Sequence, residues 1–178
     1  MLNKPKFWDK KINFISIFLF PISLLYLSII FLKKKISKIE IFNVRVICVG
    51  NIYLGGTGKT PTSIFLAKEI EDIGKKVTIL RKYYKSHEDE HDLIRENFKN
   101  LILCKNREIG LRNAEKSGFD IVILDDGLQD YKIKKDIKIV CFNNNQLIGN
   151  GLVLPAGPLR ENLSALSDAN IVIINRSE

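Results

Sequence analysis

The chain has 178 residues, 46% of them hydrophobic, and a formal net charge of +8. That length is enough for one domain with a real core, and the composition excludes a disordered or low-complexity chain. The charge is uneven, since residues 1–43 hold eight lysines against Asp9 and Glu40, +6 of the total. A basic excess confined to the flanks of an apolar run points to anionic lipid headgroups and not to nucleic acid.

The first predicted element is Phe14–Leu32, 19 residues without a charge between Lys10-Lys11 and Lys33-Lys34-Lys35. A helix needs about 20 residues to cross a hydrocarbon core. Pro21 and three serines interrupt the run, so a spanning helix and one lying in the interface are both compatible with it. A cleaved signal peptide is disfavoured because no small-x-small site follows. A soluble core helix is the competing reading, but lysines at both ends suit headgroups better than a protein interior.

Beyond a short basic linker, strands and helices alternate. Val44–Val49 predicts a strand running into glycines, and Thr60–Asp72 has the helical spacing Ile64, Phe65, Ala67, Ile70, closed by Gly74. A strand follows at 77–80, a helix from Asp89 to Phe98, a strand at Leu101–Leu103 and a helix at Glu108–Lys116 that ends before Gly118. Apolar runs at Ile121–Leu124, Ile137–Phe142 and Ile171–Ile174 complete the set. Short, fully apolar strands separated by helices predict an α/β fold, a mostly parallel sheet with helices on both faces. The expected organisation is a membrane-associated helix and basic linker over 1–43, then a nucleotide-binding domain over 44–178.

Cys48, Cys104 and Cys141 are far apart, and each lies in or beside an apolar run. Without a Cys-x-x-Cys pair or a nearby histidine they read as buried core residues, not zinc ligands. His87 and His91 flank an acidic cluster and read as part of a solvated loop or helix start.

Gly55-Gly56-Thr57-Gly58-Lys59-Thr60 follows a predicted strand and opens a predicted helix, the context that a phosphate-binding P-loop requires. Glycines let consecutive N–H groups face one anion, and the helix N-terminus adds unpaired donors and a positive dipole end. Lys59 can reach the β- and γ-phosphates of a nucleotide, and Thr60 can place its hydroxyl on Mg²⁺. The usual first glycine is replaced by Tyr53. Asp125 ends an apolar strand, as a Walker-B carboxylate holding Mg²⁺ does, and Asp126 is the second candidate. A turn former at a strand end is the alternative for this pair. Glu88, Asp89, Glu90 and Asp92 read by themselves as an acidic helix start favoured by the macrodipole. Arg160 and Glu161 read as a tight loop before a helix, where the arginine could hold a phosphate or form a surface ion pair.

The stretch Gly50-Asn51-Ile52-Tyr53-Leu54-Gly55-Gly56-Thr57-Gly58-Lys59-Thr60-Pro61 resembles the variant P-loop of the tetraacyldisaccharide 4′-kinase family. Leu124-Asp125-Asp126-Gly127-Leu128-Gln129 is a second match. Gly149-Asn150-Gly151 followed by Leu154-Pro155-Ala156-Gly157-Pro158-Leu159-Arg160-Glu161 is a third. The resemblance covers essentially the whole chain. It implies a P-loop NTPase-like fold and transfer of the γ-phosphate of ATP to the 4′-hydroxyl of tetraacyldisaccharide 1-phosphate, a lipid A precursor. It also implies Mg²⁺ and work at the cytoplasmic face of the bacterial inner membrane, among membrane lipids. The implied nucleotide contacts are Tyr53, Leu54, Gly55, Gly56, Thr57, Gly58, Lys59 and Thr60, with Thr60, Asp125 and Asp126 at the metal. Lys59 is implied as catalytic, and the general base in the family's Gly-Asp-Glu motif maps onto Asp89.

Three departures accompany the match: Glu88 replaces the glycine before that aspartate, Arg81-Lys82-Tyr83-Tyr84 replaces Ser-Arg-Gly-Tyr, and Asp130 replaces a histidine. The family continues past the position of Glu178 into a second lobe that partners the aspartate with a histidine. Residues 1–178 alone are therefore expected to bind ATP but to transfer phosphate to the lipid very slowly or not at all. The competing functions are another membrane-attached P-loop ATPase or GTPase, or a nucleotide-binding remnant without transfer activity. The absence of an Asn-Lys-x-Asp guanine-reading motif disfavours a GTPase.

Overall fold

The short β-branched runs become strands and the amphipathic stretches between them become helices, in the alternating order that a parallel sheet requires. The computed structural model describes residues 4–176. In chain order the elements are α1 (Phe14–Ile36), β1 (Arg45–Gly50), α2 (Lys59–Asp72), β2 (Val77–Lys82), α3 (Glu88–Asn97), β3 (Leu101–Cys104), α4 (Arg107–Lys116), β4 (Ile121–Asp125), β5 (Ile137–Asn143) and β6 (Ile171–Asn175). Short 3-10 turns occur at Lys6–Asp9, Lys85–His87 and Leu163–Asp168. The expected limits hold to within two residues except for α1, which continues through its lysines to Ile36. These residues fall into two compact units. One comprises Lys38–Gly50 and Gly58–Ile139, and the other the chain up to Ser37, Asn51–Thr57 and the residues from Val140 onward.

In the first unit the strand order is β3-β2-β4-β1, with β5 entering beside β1, and the pairs β3–β2, β2–β4 and β4–β1 are parallel. Successive side chains point to opposite faces. On one face Val46, Cys48, Leu80, Val122 and Leu124 form a core with Leu111 and Ala114 of α4. Gly110 lets α4 approach closely, since a Cβ there would lie 2.7 Å from Leu80 and 2.9 Å from the Cys104 sulfur. On the other face Val49, Ile79 and Ile123 are buried on the side of α2, which packs on β1, β2 and β4 and buries Ile64, Ala67 and Ile70. Each fully buried aliphatic chain contributes roughly 1.5–3 kcal/mol. Helices therefore cover both faces of this sheet, as expected. The register sets Arg81 of β2 beside Asp125 of β4, and Asp125 beside Val49 of β1.

In the second unit β5 continues beside β6. Ile171, Val172 and Ile174 of β6 are about half exposed, so the expectation of a sheet covered on both faces does not extend to this strand. Helix α1 is docked along its length. Asn150 donates to the Ser16 hydroxyl at 3.3 Å. The Ser23 hydroxyl donates to the Val153 carbonyl at 2.9 Å and accepts from the Ala156 N–H at 3.1 Å. The Tyr26 hydroxyl donates to the Arg160 carbonyl at 3.1 Å, and Lys34 pairs with Asp168 at 3.2 Å. Ser16, Leu19, Ser23, Tyr26, Leu27 and Ile30 are its sheltered positions, which share one face of a helix. Ser16 and Ser23 face the protein, while Ser28 is exposed and Phe14, Phe18, Leu25, Phe31 and other apolar side chains face outward. This is the reverse of a soluble amphipathic helix.

Two expectations about single residues need correction. Cys48 and Cys141 are buried, but Cys104 is only partly so. Burial pushes the Cys48 thiol up to about 12, which makes it an inert core residue. His87 is partly exposed, but His91 is fully buried and stacks on Tyr83 with ring centroids 5.4 Å apart. Burial, and after it the Arg81 guanidinium, hold the His91 imidazole below its ordinary range. The buried ring is therefore neutral, not a solvated histidine. It was misread because an acidic helix start looks solvated on every side until its inward face is known.

Candidate functional site

The two units divide the P-loop between Thr57 and Gly58, and each part has its own supports. In Asn51–Thr57 the buried Asn51 amide donates to the Gly55 carbonyl at 3.1 Å and to the Thr57 hydroxyl at 3.0 Å. Asn175 at the end of β6 donates to the Thr57 carbonyl at 2.8 Å. These bonds hold the loop from within, and its tip, Leu54, Gly55 and Gly56, is exposed. Nothing lies within 4 Å of where a Gly56 side chain would start. Tyr53 is different from the contact expected of it: its side chain is fully buried, with Lys4 4.9 Å over the ring and the hydroxyl 3.5 Å from Asp9. Gly58 is the cap of α2 with φ +78°, a left-handed conformation that costs a side chain roughly 1–2 kcal/mol.

At the start of α2, side chains from three elements converge. Asp125, fully buried, accepts from the Thr60 hydroxyl at 3.1 Å and from the Ser63 hydroxyl at 3.0 Å. Thr60 and Ser63 are three apart on one helix and so share a face. Arg81, buried on β2, pairs with the same Asp125 carboxylate and, through its other terminal nitrogen, with Glu90 of α3. One Arg81 nitrogen also lies 3.1 Å from the Thr60 hydroxyl. A buried carboxylate without such partners would be strongly disfavoured as an anion.

Asp126 is the turn residue that follows β4. It is left-handed, with φ +57°, and its carboxylate lies 3.7 Å from the Lys59 ammonium. Its turn is pinned by Arg107, which donates to the Asp126 carbonyl at 2.7 Å and pairs with Asp130 at 3.5 Å. Lys59, Thr60, Asp125 and Asp126 are thus brought together, as their place in the motifs suggested. Asp89 is not part of this cluster: it is exposed on the first turn of α3, and the next residue, Glu90, reaches Arg81. Arg160 is partly exposed while Glu161 is buried, not on the surface, and the helix expected after them is the short 3-10 turn Leu163–Asp168.

The sequence reading missed Asn51, Ser63, Arg81 and Asn175 as supports. Ser63 was signalled by its spacing from Thr60, and Arg81 by its place at the end of an apolar strand. Neither signal carries meaning without knowing which strand lies alongside. Among the described residues no group of three histidines, cysteines or acids could hold a metal by itself. The hydroxyl and carboxylate of Thr60 and Asp125 are hard oxygen ligands of the kind Mg²⁺ takes when nucleotide oxygens and water complete its shell.

A family model described as tetraacyldisaccharide-1-P 4′-kinase matches residues 15–178. The tetraacyldisaccharide 4′-kinase of Pelagibacter ubique is 44% identical over 181 residues, an alignment covering 99% of this chain and 56% of that protein. The enzyme of the same name from Allorhizobium ampelinum is 35% identical, over 92% of this chain and 52% of its own. A crystal structure of the Aquifex aeolicus LpxK protein in complex with ATP superposes with a TM-score of 0.77 at 29% identity, covering 90% of this chain and 58% of that one. The chain spans about half the length of the curated relatives it matches. On a family match that takes in nearly all of it, the chain belongs to the tetraacyldisaccharide-1-P 4′-kinase family.

Proposed function

We propose that the chain binds ATP with Mg²⁺ and serves the transfer of its γ-phosphate to the 4′-hydroxyl of tetraacyldisaccharide 1-phosphate. The observation that carries this reading is the convergence of Lys59, Thr60, Asp125 and Asp126 at the start of α2. The exposed Gly55 and Gly56 offer backbone N–H groups suited to phosphates, and so do the first residues of α2 from Gly58. Lys59 leaves Asp126 to neutralise the β- and γ-phosphate oxygens. Thr60 and Asp125, with Asp126 nearby, would hold Mg²⁺, which supplies positive charge that offsets the charge developing on the transferred group. Asp89 takes the proton of the sugar hydroxyl as its oxygen bonds to the γ-phosphorus. The bond from that phosphorus to the bridging oxygen breaks, and ADP leaves with the electron pair.

Lys59→Ala should lose a charge-assisted contact of about 1.5–3 kcal/mol, weakening ATP binding tenfold or more. Equal affinities of wild type and variant by titration calorimetry would remove the P-loop assignment.

The same reading places the chain on the cytoplasmic face of the bacterial inner membrane. Helix α1 is long and apolar enough to span a bilayer, yet it is tied to its own unit from Ser16 to Lys34. A helix so tied is suited to lie in the boundary between headgroups and acyl chains, apolar side outward. Its flanking lysines can then reach anionic headgroups. The paired change Phe18→Asp and Leu25→Asp alters two outward positions, 74% and 64% exposed, and leaves the serine face in place. Loss of flotation with anionic liposomes is expected, without loss of ATP binding. Unchanged flotation would exclude the outward face as the membrane contact.

A further inference from the structure

Arg81 stands where the resemblance has a serine, and the motifs assign it nothing. Its side chain is 5% exposed and ends in a fork. One terminal nitrogen is shared between Asp125 and Thr60, which are themselves 3.1 Å apart. The other pairs with Glu90 and lies 3.5 Å from His87 Nδ1. The inner Nε makes no hydrogen bond. The guanidinium is therefore held by its tip alone, between a fully buried carboxylate and the side chain of Glu90, which is 43% exposed.

Asp125 cannot remain a bare buried anion, and arginine is always charged, so Arg81 is its counter-ion. That counter-ion contacts the same hydroxyl and carboxylate that would hold the divalent ion. A guanidinium nitrogen and a metal ion cannot both occupy that place. We propose that Arg81 is a displaceable resident cation of this site: it competes with the divalent metal for Thr60 and Asp125, and withdraws onto Glu90 when metal and nucleotide enter. The inference rests on the nucleotide and metal reading above. Glu90 follows Asp89 on the first turn of α3, so the exchange also ties metal binding to the turn that carries the assigned base. Arg81 is on this account a positioning residue, acting through Asp125 and Glu90.

The test uses Mn²⁺ as the probe, titrated with saturating ATP, and protein-bound Mn²⁺ is read from the water-proton relaxation enhancement above that of Mn²⁺ and ATP without protein. Arg81→Met removes the competitor and should tighten Mn²⁺ binding about 10-fold or more, the scale of one lost charge-assisted contact. Glu90→Gln removes the charge that receives the displaced guanidinium and should weaken Mn²⁺ binding several-fold. A residue with only a structural role would not shift metal affinity in opposite directions. Arg81→Met leaves Asp125 buried without its cation and can fail to fold. Glu90 is exposed enough to be changed safely, and its variant then carries the test alone. Unchanged or tighter Mn²⁺ binding by Glu90→Gln, or unchanged or weaker binding by a folded Arg81→Met, overturns the proposal. If wild type binds no Mn²⁺ with ATP, and Lys59→Ala leaves ATP affinity unchanged, the nucleotide reading falls with it. ATP-dependent Mn²⁺ binding that neither variant alters removes only the displaceable cation.

Discussion

Replacing Asp125 by alanine is expected to destabilise the protein by about 3–5 kcal/mol, the cost typical of removing one partner of a buried ion pair. Asp125 is fully buried and accepts from Thr60, Ser63 and Arg81 at once. The substitution removes the acceptor of the Thr60 and Ser63 hydroxyls and leaves the buried Arg81 with Glu90 as its carboxylate partner among the described residues. Because Glu90 is half exposed, it keeps part of the compensation, and the lower end of that range is the better expectation. Against a total stability of roughly 5–15 kcal/mol for a domain this is a large fraction. Urea unfolding would show it as a lower midpoint with an unchanged slope. Asp126→Asn serves as the contrast: it keeps a residue type that tolerates the left-handed turn, its pair with Lys59 is partly exposed, and the loss should be at most ~1 kcal/mol. Similar midpoints for both variants would mean that the buried cluster is not the anchor described here.

Asp89→Asn is expected to lower phosphate transfer by about 10²–10⁴-fold, the usual contribution of a positioned general base, while ATP affinity stays as in wild type. The separation of the two effects follows from placement. Asp89 is exposed on the first turn of α3 and takes no part in the cluster formed by Lys59, Thr60, Asp125 and Asp126. Asparagine keeps the size and the helix start but cannot take a proton at neutral pH. The measurement is transfer of labelled phosphate from ATP to the tetraacyl disaccharide, beside calorimetric ATP binding. A fall in ATP affinity matching the fall in rate would place Asp89 in nucleotide binding instead. Unchanged transfer would move the base elsewhere, with Glu90 the nearest carboxylate in sequence.

Much of the architecture was legible because it is locally encoded. Val77–Lys82 and Ile121–Asp125 announce themselves as buried strands by four consecutive apolar or β-branched residues, and Lys59–Asp72 by apolar positions at helical spacing. The P-loop was legible for the same reason, since its glycines, lysine and threonine are contiguous and their chemistry depends on that order. Asp125 could be nominated from its place at a strand end. Its degree of burial and its three donors could not, because Ser63 and Arg81 reach it only through the packing of α2 and the pairing of β2 with β4.

Helix α1 shows the same division within one element. Its length, lack of charge and flanking lysines are written in consecutive residues, and they were sufficient to predict a long apolar helix. Which face meets the protein depended on residues more than 100 positions away, the Val153 and Arg160 carbonyls that receive Ser23 and Tyr26. By itself the sequence determined the alternating α/β elements, the phosphate loop, the apolar N-terminal helix and the family motifs, because each is a short-range pattern in a contiguous stretch. Tertiary structure alone decided the left-handed turn of Asp126, the burial of His91, the inward serine face of α1 and the Arg81 bridge from Asp125 to Glu90. Each of those depends on strand register and helix docking. They join side chains distant in sequence, and the energy of a buried charge is set by the neighbours that packing supplies.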